Sequence, residues 1–183
     1  VETELRTFQD RGKLLASAIE GGIVFSGTGV TLTELFFSQD EDILATGIVA
    51  KDVSGGFVLR ASARNTARLE LIGEIPGGPI EWLEGLDDAL ETAFRGSFAV
   101  RNASPAFRYP VVVLIYPHAL KSQGEAESVV ALFISMDRIL NAITAGELYV
   151  TFLTGQSGEI LGHPDQQPIV ERVSMRSSPI VRD

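Results

Sequence analysis

Seven side chains in this 183-residue chain have the chemistry to hold a small charged molecule: Arg60, Arg64, Trp82, Arg101, Arg108, Tyr109 and Tyr116. A guanidinium fork grips a carboxylate with two parallel N–H donors, and aromatic rings shape a pocket and exclude water from it. The inventory suits a site for a small organic anion or an amino acid. Each residue also has an ordinary reading: Arg64 and Arg108 as solvated charges at strand ends, Trp82 as helix packing. Arg101, Tyr109 and Tyr116 carry more weight, because they fall on neighbouring strands expected at the centre of a sheet.

Groups for catalysis are sparse. His118 and His163 are the only histidines, neither has a second ligand four residues on, and the chain has no cysteine. Thiolate and histidine-rich metal sites therefore drop out, together with cysteine nucleophiles. The glycine pairs at 27 and 29 and at 55 and 56 lack the strand-to-helix setting of a nucleotide loop and read as turns. Ser157 sits in Gly-Gln-Ser-Gly, but residue 159 is Glu, so the Gly-x-Ser-x-Gly elbow fails. Asn102-Ala-Ser104 matches a glycosylation acceptor in form. The expectation is no catalytic residue, no metal and no cofactor.

A net charge of −9, with no run of Lys or Arg, leaves no footprint for a phosphate backbone and argues against nucleic acid. Hydrophobic residues make up 45% of the chain and charged residues 21%, the balance of a folded domain, and the length suits one core. No apolar run approaches the ~18 residues that span a bilayer. Val1 is not an initiator methionine, so the chain reads as a fragment whose flanks held the membrane spans.

The elements that must position these residues follow from periodicity. Leu5, Phe8, Leu15 and Ile19 are spaced by threes and fours with Gly12 at the missing position, which predicts a helix within 2–26. It packs either along a partner helix or on its own sheet. Thr31 and Glu34 have capping-box spacing for a short second helix. Ile43–Ala50 and Phe57–Ala63 predict a hairpin whose return strand points Phe57, Leu59 and Ala61 one way and Val58, Arg60 and Ser62 the other. Pro79 to Gly96 reads as a helix with Leu83, Leu86, Leu90 and Ala93 on one face. Ser97–Asn102 is a further strand. Tyr109–Tyr116 and Ser128–Ser135 are nearly unbroken apolar runs, the mark of strands covered on both faces. Asp137–Ile143 is a short helix, and Leu148–Asp165 closes the chain with two strands around a glycine turn. With no repeated βα alternation, the fold class is α+β around an antiparallel sheet.

From Tyr109 to Asp165 the sequence resembles the later half of a Cache domain, the extracytoplasmic PAS-like sensor family of bacterial receptors. The residues that carry the resemblance are the strand ending in Tyr116-Pro117, the run VVALFISMDRIL from Val129, and LYVTFLTGQSGEILGHPD from Leu148. The leading helix and the hairpin around Ile48–Asp52 and Gly56 agree with it. The resemblance implies a PAS-like central antiparallel sheet with a long N-terminal helix, in a single-module form. It divides the chain into a signalling or dimerisation helix over 1–28, a sensor module over 29–172 and a tail over 173–183 leading toward a membrane span. The Tyr, Arg, Trp and Tyr cluster of the amino-acid-binding branch has no counterpart that can be placed here.

The resulting expectation is an extracytoplasmic, periplasmic or extracellular, ligand-sensing domain of a membrane-anchored receptor, not an enzyme. Arg101 and Arg60 would hold an anionic group in a pocket on one sheet face, with Tyr109, Tyr116 and Trp82 as walls. Its partners would be that small molecule, the membrane through flanking segments, and a second copy through the N-terminal helix. The alternative is a PAS-like dimerisation or protein-partner module with no small-molecule ligand.

Overall fold

Strands that are apolar on both faces end up in the middle of the sheet, because only there are both faces covered. The computed structural model describes residues 2–22, 31–73, 77–121, 124–144, 152–155 and 157–177. Five strands, β1 (Ile43–Lys51), β2 (Phe57–Arg64), β3 (Ala99–Asn102), β4 (Val111–Leu120) and β5 (Ala126–Ser135), form one antiparallel sheet in the order β2-β1-β5-β4-β3. A separate two-stranded ribbon pairs β6 (Leu153–Thr154) with β7 (Ile160–Gly162). The helices are α1 (Glu2–Gly21), α2 (Leu32–Gln39), α3 (Thr66–Ile72), α4 (Asp87–Phe94), α5 (Ser104–Phe107), α6 (Asp137–Thr144) and α7 (Gln167–Val170). The central antiparallel sheet and the long N-terminal helix are thus present. The expected boundary at residue 28, the strand start at Leu148–Thr151 and the end of the tail beyond 177 lie outside the described residues.

Two apolar layers sandwich the sheet. On one face α3, α4, α5 and a 3-10 turn at Glu81–Leu83 pack Leu69, Trp82, Leu86, Leu90, Phe94 and Phe107 onto Val113, Ile115, Val129, Ala131 and Phe133. On the other, α1, α2, α6 and the ribbon pack Phe8, Leu15, Phe37, Ile139 and Leu161 onto Val112, Leu114, Tyr116, Val130 and Leu132. Each fully buried side chain of this kind contributes about 1.5–3 kcal/mol. The stripe of α1 therefore packs on the domain's own sheet, the second of the two readings open to it. Gly12 takes its place in the stripe because the Tyr116 hydroxyl lies directly below it.

Several local expectations hold. Thr31 and Glu34 form the capping box of α2, with the Glu34 carboxylate accepting from the Thr31 N–H at 2.7 Å. That bond holds the exposed Glu34 carboxyl below the usual carboxylate range. Gly96 follows α4 at φ +90°, as a C-terminal glycine should.

Others are corrected. The single helix over Pro79–Gly96 is broken, because Gly85 at φ +73° turns the chain between the 3-10 turn and α4. The Pro117–Glu127 loop is shorter than expected, since β4 runs to Leu120 and β5 starts at Ala126. In β2, Ile48 faces Ala61 while Val49 faces Leu59, so Arg60 is the extra residue of a bulge. Phe57 and Leu59 consequently pack on the α4 side, whereas Ala61 and Ala63 pack on the α1 side.

Candidate functional site

The five residues expected to share a pocket are dispersed. Trp82 is 3% exposed and lies against Phe107 and Phe133, with ring centroids 4.6 and 5.8 Å away. Tyr116 is fully buried on the opposite face of the sheet, beneath α1, so it cannot wall the same pocket as Trp82. Arg60 projects from its bulge at one edge and faces Glu127 at 3.6 Å. Arg101 stands on β3, which is the other edge and not the centre as expected. Its guanidinium donates to Asp88 at 2.7 Å and to the Val100 carbonyl at 2.9 Å. Tyr109 precedes β4, and its hydroxyl donates to Asp137.

The face under α3 and α4 is filled. Trp82, Phe107 and Phe133 occupy the space that a sheet-face pocket would need, and what opens beside them is a recess of about 180 Å³ between Arg64, Leu69, Gly73, Gly77 and Trp82. Ligand sites usually run to ~300 Å³ or more. An opening of ligand size lies at the rim, where β2 ends.

That cleft, about 480 Å³, lies between α2 and α3. Arg64, Asn65, Thr66 and Arg68 line one side, Glu34, Phe37, Ser38 and Glu41 the other. Local chemistry explains the turn that builds it. Asn65 caps α3 by accepting from the Arg68 N–H at 3.1 Å, and its amide donates at 3.4 Å to the carbonyls of Phe37 and Ile43, which fixes the end of α2 to the start of α3.

A polar chain supports the floor. Asp137 accepts from Arg68 at 2.6 Å, from the Ser135 hydroxyl at 2.8 Å and from Tyr109. Burial, with Asp137 as the phenol's acceptor, pushes Tyr109 up to about 12, so it stays a donor at any physiological pH. Arg68 Nε is buried without a hydrogen-bond partner among the described residues, and Arg64 has no ion-pair partner among them. The cleft therefore offers the guanidinium of Arg64, with that of Arg68, held by Asp137, on the same wall.

The sequence reading counts Arg64 among the residues able to hold an anion but favours a strand-end charge for it, and it misses Arg68 and the whole of α3. The available signal was Asn65 followed by Leu69 and Ile72 at helical spacing, an N-cap before a short apolar stripe. The glycosylation match is set aside by burial: Asn102 is fully enclosed, with its amide bound to the Ile160 and Ile169 carbonyls. Ser157 donates to Glu159 at 2.7 Å, and the His163 ring accepts from the Asp165 N–H at 3.0 Å, so neither forms a nucleophile–base pair with the other. No group of His, Asp and Glu that could hold a metal ion occurs among the described residues, and none of their helices is long and apolar enough to cross a membrane.

The Arg101–Asp88 pair gives a pH test. The hydrogen bond from Arg101 holds the Asp88 carboxyl below its ordinary range, so the pair adds stability above that range and loses it as pH falls through the depressed value. In Arg101→Gln, Asp88 should titrate higher by carboxyl NMR. The gap in Tm between parent and variant should then narrow below about pH 4; a gap that widens there would contradict the assignment.

No protein-family model matches the chain, and no curated protein matches it. Solved bacterial receptor domains are similar to it in shape. The ligand-binding domain of the Pseudomonas fluorescens chemoreceptor CtaA with L-alanine is 20% identical, with 73% of this chain and 52% of that chain covered and a TM-score of 0.42. The same domain with L-leucine gives 18%, 80%, 57% and 0.43. The ligand-binding domain of the Pseudomonas aeruginosa PAO1 amino acid chemoreceptor PctC with GABA gives 15%, 96%, 75% and 0.46. The chain spans about half the length of the CtaA domain.

Proposed function

We propose that the chain is the extracytoplasmic ligand-sensing domain of a membrane receptor, a binding module and not a catalyst, and that it takes a small organic anion in the cleft between α2 and α3. The observation that carries this reading is the pairing of Arg64 and Arg68 on one wall of an open cleft of about 480 Å³. Guanidiniums on the wall of a cleft suit a carboxylate. Thr66 and Ser38 add hydroxyls, and Phe37 and Leu71 add apolar wall. Glu34 and Glu41 across the cleft favour a ligand that carries an ammonium as well as a carboxylate over a dianion.

Binding would act through α2. One side of that helix lines the cleft, and Asp40 at its C-cap pairs with Arg11 of α1. A ligand that draws α2 toward α3 thus pulls on α1, and a bias between two packed arrangements reaches whatever the N-terminal end of that helix is joined to.

The test is a thermal-shift and calorimetric screen of carboxylates and amino acids. At least one should raise Tm, and Arg64→Ala or Arg68→Ala should weaken it about tenfold or more, as expected for loss of a charge-assisted hydrogen bond. A hit unaffected by both substitutions, or no hit at all, would remove the reading.

A further inference from the structure

At the opposite edge of the sheet from Arg64, a second opening of about 350 Å³ runs over β3. Its apolar wall is made by Leu5 from α1, Phe98 and Val100 at the edge strand, and Leu153 and Leu161 from the ribbon, while Thr92 and Thr154 add two hydroxyls. One cation stands at its side, Arg101. Beyond Leu5 and Phe98, which line both, the slot continues into a groove along α1 lined by Arg6, Gln9 and Asp10. Phe98, 41% exposed at the junction of the two, stacks on Tyr116 with ring centroids 6.4 Å apart.

We propose that this slot binds a medium-chain aliphatic monocarboxylate, with its head on Arg101 and its tail along Leu5, Phe98, Val100, Leu153 and Leu161. The charge follows from the hydrogen bonds of Arg101. A guanidinium has five N–H donors, and the described bonds to Asp88 and the Val100 carbonyl use two. Donors remain for one carboxylate. Asp88 already faces the same guanidinium, so a second negative charge on the ligand would be repelled, which disfavours dicarboxylates and phosphates. An ammonium would meet Arg101 with like charge, and the Asp88 carboxylate nearby is already engaged by that guanidinium, which disfavours cations and free amino acids.

The class of ligand has a structural consequence. The slot is assembled from α1, β3 and the ribbon, so it is complete only while α1 is seated on the sheet. An occupant therefore braces α1 against the edge strand. This inference stands apart from the α2–α3 cleft: the two openings share no residue and lie on opposite edges.

Octanoate, used below its micelle-forming concentration, is the probe. Titration followed by amide NMR should move the resonances of Ala99–Asn102, Leu153 and Leu161, and hydrogen exchange in residues 2–10 should slow. Arg101→Gln should weaken octanoate at least tenfold, and Phe98→Ala about threefold to tenfold. Circular dichroism melts of both variants confirm that they are folded. Octylammonium and octan-1-ol should bind at least tenfold more weakly than octanoate. The proposal is overturned if octanoate does not bind, if Arg101→Gln binds it as the parent does, if octylammonium binds equally well, or if the shifted resonances are those of α2 and α3. That last outcome would assign octanoate to the other cleft, whereas an empty screen at Arg64 and Arg68 leaves a positive result here intact.

Discussion

Asn102→Ala should lower the stability of the domain by about 3 kcal/mol, because three buried hydrogen bonds disappear together and each net bond is worth about 1 kcal/mol. The Asn102 amide donates to the carbonyls of Ile160 at 2.9 Å and Ile169 at 2.7 Å, and its oxygen accepts from the Ser104 N–H at 2.8 Å. One side chain thus joins the sheet edge to β7, α7 and the start of α5. Alanine leaves two carbonyls and one N–H enclosed without partners. For a domain of this size the loss corresponds to a drop in Tm of roughly 6–12 °C. Hydrogen exchange in residues 160–172 should accelerate more than in β4 and β5, since the segment they tie down is released first. Asn102→Asp should not recover the loss: it keeps the acceptor but turns a carboxylate toward two carbonyl oxygens. An unchanged melting temperature for Asn102→Ala would refute the role given to this residue.

Gly12→Ala should destabilise the chain although helix propensity alone favours it by about 1 kcal/mol. A Cβ at residue 12 would stand 2.2 Å from Tyr116 Oη and 2.7 Å from a Leu132 methyl. Relief requires α1 to lift or the strand residues to sink, and overpacking of that kind costs about 1–3 kcal/mol. The hydroxyl is the sharper obstacle. It is buried, it has no hydrogen-bond partner among the described residues, and burial pushes its pKa far above the ordinary phenol range. Tyr116→Phe alone should therefore be neutral or stabilising by about 1 kcal/mol, since an unsatisfied polar group is removed. Combined with Gly12→Ala, it should restore much of the lost stability. Strict additivity of the two substitutions in thermal melts would mean that they do not touch.

These two positions also mark how far the sequence could be read. The β1–β2 hairpin, the central strands β4 and β5 and the capping box of α2 were legible, since each rests on a local signal: alternation, an apolar run, a Thr–Glu spacing. Sides of the sheet were not. Tyr109–Tyr116 is apolar throughout, so nothing in the pattern says that Tyr116 turns to α1 while Val113 and Ile115 turn to α4. The bulge at Arg60 is invisible for a similar reason: burial still alternates along β2, but the layer being met changes halfway. Candidate site residues suffered most, because a pocket is a matter of faces and edges. Arg101, expected at the centre, stands on an edge strand that is only four residues long. Arg68 went unseen because a seven-residue helix shows two turns of periodicity at most.

On β3, the carbonyls of Val100 and Asn102 are taken by the guanidiniums of Arg101 and Arg172. On β2, the bulge kinks the strand at Arg60, and exposed Arg60 and Arg64 stand along it. Bare rims invite a neighbouring chain to add a strand, and charges, bulges and covering groups deter it. Both rims of this sheet are guarded, so copies of the domain crowded together at a surface have no template for running their sheets into one another.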